Sequence, residues 1–197
     1  INDELIEVIK SEPKVCHYID MPIQHASDRI LKRMGRRTTN ADLRNIIMKL
    51  RCEIPDIVLR TTLITGFPGE RLADYRILKD FVRDIGFDRL GVFTYSREEG
   101  TPAAAMKGQL PEVVKKFRRN GIMKLQQRIV YEKNEAMVGR ELTVCVDGRL
   151  VEDGVYVTRS YMDAPDVDGI VFVATDREMM CGDSLNVRIS AADGYDL

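Results

Sequence analysis

Apolar residues recur along the chain in two rhythms, and the change from one to the other divides it. Leu5, Val8 and Ile9 fall at helical spacing behind Asn2 or Asp3 as a cap, and Pro13 ends that helix. Residues 15–21 then read as a strand closed by Pro22. Ser27 is a good N-cap for a helix over 28–34, which Gly35 stops. Asn40 caps the next helix, running to about Glu53. Residues 56–65 are rich in β-branched side chains, the clearest strand, and lead into the turn Gly66-Phe67-Pro68-Gly69-Glu70. A helix over roughly 72–85, a strand over 88–95, a loop over 96–110 and a long basic helix over about 111–137 follow. Strands alternating with helices predict a parallel α/β sheet. Three such strands are too few to close a barrel, so part of a larger domain is expected.

After Gly139 the rhythm shortens. Residues 141–146, 155–159, 169–174 and 184–190 are short strand-like runs. Asp147-Gly148, Asp153-Gly154, Asp168-Gly169 and Gly182-Asp183 punctuate them as turns. That spacing predicts a small all-β barrel. The expected organisation is an α/β part over 1–110, a connecting helix over 111–137 and a β-barrel over 138–197.

Composition narrows the class. Of 197 residues, 44% are hydrophobic and 31% charged, which excludes a disordered or collagen-like chain. No apolar run approaches the ~20 residues of a membrane-spanning helix. The chain begins Ile1-Asn2-Asp3 without an initiating Met, and a piece of a longer protein is expected. Cysteines stand only at 16, 52, 145 and 181, never close enough for a metal-binding pair. Scattered thiols without a targeting signal predict a reducing, cytoplasmic setting and no metal site in this chain.

Charge adds a second division. Residues 1–136 carry 25 Lys and Arg against 19 Asp and Glu, a sum of +6, whereas residues 137–197 carry 5 against 12, a sum of −7. The helix over 111–137 holds 7 basic and 3 acidic residues. A basic front and an acidic rear suggest different partners for the two parts.

Candidate chemistry gathers at the strand ends, where parallel sheets bind ligands. In the strand over 57–65, Val58, Arg60, Thr62 and Ile64 share one face, leaving Ile57, Leu59, Leu63 and Thr65 to pack under helices. An inward Arg60 needs an anion, either Asp20 of the neighbouring strand or a bound ligand. The glycines of the Gly66 turn would let backbone approach a ligand. Gln24 and His25 hold the equivalent place after the first strand, free to bond a ligand or to cap the next helix. Tyr95 and Ser96 end the third strand.

The segments YIDMPIQHASDRILKRMGRRTT, LRTTLITGFPGE and VFTYSREEGTPAA follow in the order and spacing of the radical S-adenosylmethionine methylthiotransferases. The tail, with YVTRSYMDAPDVDGIVFV, resembles the TRAM domain that ends those enzymes. PIQHASDRILKRMGR and DAPDVDG resemble the branch that modifies small-subunit ribosomal protein S twelve; the tRNA-modifying branch usually has Ser-Gly where this chain has His25-Ala26.

The resemblance implies the C-terminal half of a partial, TIM-like (β/α) barrel followed by an OB-like TRAM barrel. It implies S-adenosylmethionine as cosubstrate and two iron–sulfur clusters in the full-length enzyme, which methylthiolates the β-carbon of an aspartate in the ribosomal protein. The cluster cysteines of the family pattern have no counterpart here, so this chain alone is expected to be inactive. By the same pattern Gln24 would lie near the ribose and methionine, and Arg60 near the methionine carboxylate. Thr62, Ile64 and Gly66 would flank the adenine, and Tyr95 and Ser96 would offer backbone to its edge. The acidic tail would attract a basic ribosomal protein and repel RNA, with Tyr161, Asp163, Asp166 and Asp168 as target contacts. The basic helix leaves some RNA contact open. Two other functions stay open: a tRNA methylthiotransferase of the same family, and a non-catalytic TRAM-type binding module.

Overall fold

Why the first part folds as it does is clearest in its helices. In the computed structural model, which describes residues 1–150 and 154–197, α1 (Asp3–Ser11) starts where the Asn2 side chain accepts a bond from the Leu5 N–H. Its buried Ile6 and Ile9 pack toward α3 (Asn40–Glu53). The cap of α3 is Thr39, not Asn40. Thr39 and Asp42 bond each other's backbone N–H in a capping box, a reciprocal arrangement that leaves Asn40 as the first helical residue. Between them lie β1 (Tyr18–Asp20) and α2 (Asp28–Arg33). The first strand is shorter than its apolar run suggests, because the turn after α1 holds the chain until His17 accepts from the Val58 N–H.

β2 (Val58–Thr65), α4 (Leu72–Ile85) and β3 (Arg89–Thr94) complete a three-stranded parallel sheet in the order β1-β2-β3. Leu59, Thr61, Leu63 and Thr65 are fully covered, while Arg60, Thr62 and Ile64 are only half-buried. The sheet therefore has a closed face under helices and an open face. A 3-10 turn (Pro102–Ala105) interrupts the loop, and α5 (Glu112–Glu135) packs against α4, β2 and β3.

The second part is an antiparallel sheet in the order β6-β5-β4-β7, formed by β4 (Glu141–Leu150), β5 (Val155–Ser160), β6 (Val171–Ala174) and β7 (Ser184–Arg188). Beyond β7 the chain crosses to the far edge, where Leu197 exchanges two hydrogen bonds with Ile170 and Phe172. The sheet so curls, around its own core of Val144, Val146, Tyr156, Val171, Val173 and Ile189. Asp147-Gly148 is not a turn. It lies inside β4 at a register shift between Val146 and Gly148, a bulge whose composition mimics a turn. Of the expected turn at Asp153-Gly154, Asp153 lies outside the described residues, as does Glu152.

Candidate functional site

The site begins where the chain leaves β1. Gln24 adopts a left-handed backbone (φ 70°), unusual for a residue with a side chain. It is held there by β2: its N–H donates to Thr62 and its carbonyl accepts from Ile64. His25 follows, fully buried. Its Nδ1 accepts from the Ala26 and Ser27 N–H groups, both at 2.9 Å, so it caps the start of α2. The ring proton is then on Nε2, which faces Glu70 Oε2 at 3.6 Å. Ser27, at the cap position, donates to Asp74 instead of its own helix.

The Gly66 turn is filled from within its own chain. The Gly66 N–H donates to Glu70 at 2.7 Å, and Arg118 donates to the other oxygen of Glu70 at 2.6 Å. A Cβ on Gly66 (φ 76°) would meet Lys115 Cγ at 2.3 Å, so its glycine is required by a lysine stem and leaves no gap for a ligand. Lys115 Nζ then donates to the Tyr95 carbonyl at 2.8 Å. In sequence Lys115 and Arg118 look like two more members of a solvated basic helix. Their three-residue spacing, on the stripe of α5 that carries Ile122, is the signal that places them inside.

Above this network lies a cavity of about 470 Å³, lined by Gln24, Ile64, Phe67, Ala103 and Met106 with Arg33 and Arg36 beside them. Its floor is a small apolar cluster in which Phe67 and Tyr95 meet edge to face, 5.3 Å between ring centres. Of the expected cosubstrate residues the structure brings Gln24 and Ile64 together here. Thr62 is on the same open face, short of the cavity wall. Gly66 and Tyr95 are engaged as described, and the exposed Ser96 hydroxyl donates to Glu98 at 2.7 Å.

Arg60 belongs to the opposite end. Its guanidinium donates to Asp20 at 2.5 Å and lies 3.4 Å from Asp168 of the second sheet's connecting loop. Tyr18 donates to Asp168 at 2.9 Å, and burial, then that bond, pushes its phenol well above the ordinary range. Beside it Arg89, paired in register with Arg60, donates to Asp163, whose side chain is 3% exposed. Tyr161 reaches the Asp56 carbonyl at 3.2 Å. These contacts correct the picture of an open acidic loop. Asp163, Asp168 and Tyr161 face the parallel sheet, because two inward arginines there need carboxylates, and only Asp166 of the four stays exposed.

Cys16, Cys52, Cys145 and Cys181 are free thiols, and among the described residues no three His, Cys, Asp or Glu side chains are placed to hold a metal ion. No described helix is long and apolar enough to cross a membrane.

Residues 138–197 match the TRAM domain. The whole chain is 60% identical to a ribosomal protein uS12 methylthiotransferase RimO of Lachnoclostridium phytofermentans, covering 45% of that protein. It is 53% identical to the one of Acetivibrio thermocellus and 50% identical to that of Geobacter sulfurreducens, covering 44% of each. The chain thus spans less than half the length of the curated relatives it matches.

Proposed function

We propose, from a resemblance to uS12 methylthiotransferases that runs the whole length of the chain and from its TRAM domain, that this chain is the C-terminal part of such an enzyme. In that reading the three parallel strands are the last of a partial (β/α) barrel, and the whole protein adds a methylthio group to the β-carbon of an aspartate in ribosomal protein uS12. The observation that carries the reading is the cavity at the C-terminal end of the strands, where ligands of parallel sheets bind.

The cavity suits S-adenosylmethionine in part. Ile64, Phe67 and Met106 offer an apolar wall to a purine or thioether, and Gln24, fixed by its two backbone bonds, projects an amide able to donate and accept. Arg60 does not suit the methionine carboxylate, since it already serves two carboxylates at the other end of the sheet. The cosubstrate, when bound, supplies the radical chemistry. The residues of this chain bind and orient it and shield one side from water. The four cysteines do not suit a cluster, so no step of cluster chemistry is assigned to them.

The target would meet the outer acidic residues of the second sheet, Asp166, Asp176 and Glu178, which are exposed. Residues 137–197 sum to −7, or −5 once Arg89 and Arg60 are set against Asp163 and Asp168, and the remaining excess favours a basic protein over tRNA. The test is a titration of the protein with uS12 at two salt concentrations. Reversing Asp166, Asp176 and Glu178 to Lys should weaken binding and flatten its salt dependence. Unchanged binding by that variant would remove the target assignment.

A further inference from the structure

The basic residues of α5 are used unevenly. Lys115, Arg118 and Lys133 each meet a carboxylate, of Glu112, Glu70 and Asp88 respectively. Lys116, Lys124 and Arg128 are exposed and form no ion pair among the described residues. Residues 113–131 contain no carboxylate at all. A helix turns about 100° per residue, which puts Val113, Lys116, Phe117, Lys124, Arg128 and Tyr131 within roughly 120° of one another. The result is one outward stripe, with its three cations spread over about 18 Å.

The stripe also carries apolar surface at Val113 and Phe117 that the fold does not use. Phe117 is 70% exposed and Val113 79%. At the other end Tyr131 stands edge-on to Tyr195, 5.5 Å between centres, and accepts a bond from Gln127. Solvated helix faces are normally polar, and Val113 and Phe117, one turn apart, make an apolar patch beside unpaired lysines rather than a single exposed side chain. The charge calls for an anion. Cations on flexible stems suit a row of phosphates, and rings at either end suit unstacked bases.

We propose that the outer face of α5 binds single-stranded nucleic acid, with its backbone along Lys116, Lys124 and Arg128 and a base on Phe117. The site is separate from the cavity and from the acidic sheet, and it does not rest on the proposed function. An acidic protein is the competing occupant. It would satisfy the lysines, but it would have no need of the exposed rings.

The experiment is fluorescence anisotropy of the 197-residue chain with a labelled oligouridylate of about 16 nucleotides, between about 50 and 200 mM salt. The triple variant Lys116→Glu, Lys124→Glu, Arg128→Glu should lower affinity at least about tenfold. It should also reduce the salt slope by about 2, the share of three phosphate contacts on a single strand. Phe117→Ala should weaken binding about 5- to 150-fold and leave the slope unchanged. Reversing Lys14 and Arg177, exposed cations elsewhere, should change neither quantity. All these positions are on the surface, and an unchanged melting curve verifies the fold of each variant. The proposal is overturned by absent binding at the lower salt, by a triple variant that binds like the parent, or by polyglutamate competing as well as unlabelled oligouridylate. A deoxyribose strand of the same length that binds equally supports it, since phosphates and bases are common to both.

Discussion

The open face of the parallel sheet ends in two different ways. At the C-terminal end of the strands a cavity remains, walled by Ile64, Phe67 and Met106, and Gln24 is pinned at its edge by two backbone bonds. At the N-terminal end the same face carries two inward arginines, and the acidic loop of the second sheet closes over them: Asp163 on Arg89, Asp168 on Arg60 and Tyr18. In sequence Arg60 could be grouped with Gln24 and Ile64 as a ligand contact, since its strand face is shared with Ile64 and its anion could be Asp20 or a ligand. The difference lies in what comes back from far along the chain. An inward cation marks a ligand site only when no carboxylate of the protein reaches it first.

The sealed end should respond to mutation through stability. Arg89→Ala strands Asp163 as a buried charge, and breaking such a pair costs about 3–5 kcal/mol. Urea unfolding should show this loss, and pairing Arg89→Met with Asp163→Leu should recover most of it. A cost for the single variant below about 1 kcal/mol would mean that the seam does not hold the two sheets together. Arg60→Ala should cost less, about 1.5–3 kcal/mol, because Asp20 is partly open to water and the buried Asp168 keeps its bonds from the Tyr18 hydroxyl and the Ala164 N–H.

The cavity end should show a smaller effect, in acid. Burial pushes the Asp74 carboxyl up, but hydrogen bonds from Arg29, Ser27 and the Arg71 N–H, with the Arg29 charge, bring it down from 3.8 to about 2. A carboxyl lowered by folding contributes stability that is complete above its unfolded value and is lost as pH falls through the folded one. Asp74 holds Ser27 and Arg29 of α2, next to Gln24, so this end should loosen between about pH 4 and pH 2. In melting curves across that window, Asp74→Asn should be less stable than the parent at pH 7 and show a shallower decline. A parallel decline of both would place the acid sensitivity elsewhere.

Local signals carried the helices further than the site. The run over 72–85 is legible because a single amphipathic stripe, an acidic first turn and Gly86 in a left-handed cap all agree. Thr39 was hidden by Asn40 beside it, since the capping box is visible only when Asp42 is read backward. The bulge at Gly148 has the composition of a turn, and only pairing with β5 distinguishes the two. Asp163 and Asp168 looked like an open acidic surface because their partners, Arg89 and Arg60, stand 74 and 108 positions away. The Gly66 turn was readable as a close approach, but whether ligand or Lys115 makes that approach is decided by how α5 packs.

In the enzyme we propose, the two ends of the sheet divide their roles: Gln24 serves the cosubstrate and Arg60 holds the seam to the second sheet. The most direct measurement is the affinity of the full-length enzyme, of which we propose this chain is part, for S-adenosylmethionine, taken together with its melting temperature in Gln24→Ala and Arg60→Ala. Gln24→Ala should lose about 2- to 12-fold in affinity, the value of a neutral hydrogen bond, with little change in melting. Arg60→Ala should bind the cosubstrate normally and melt several degrees earlier, as a loss of about 1.5–3 kcal/mol implies. An Arg60→Ala enzyme that melts normally and binds tenfold more weakly, beside a Gln24→Ala enzyme that binds like the parent, would contradict the account.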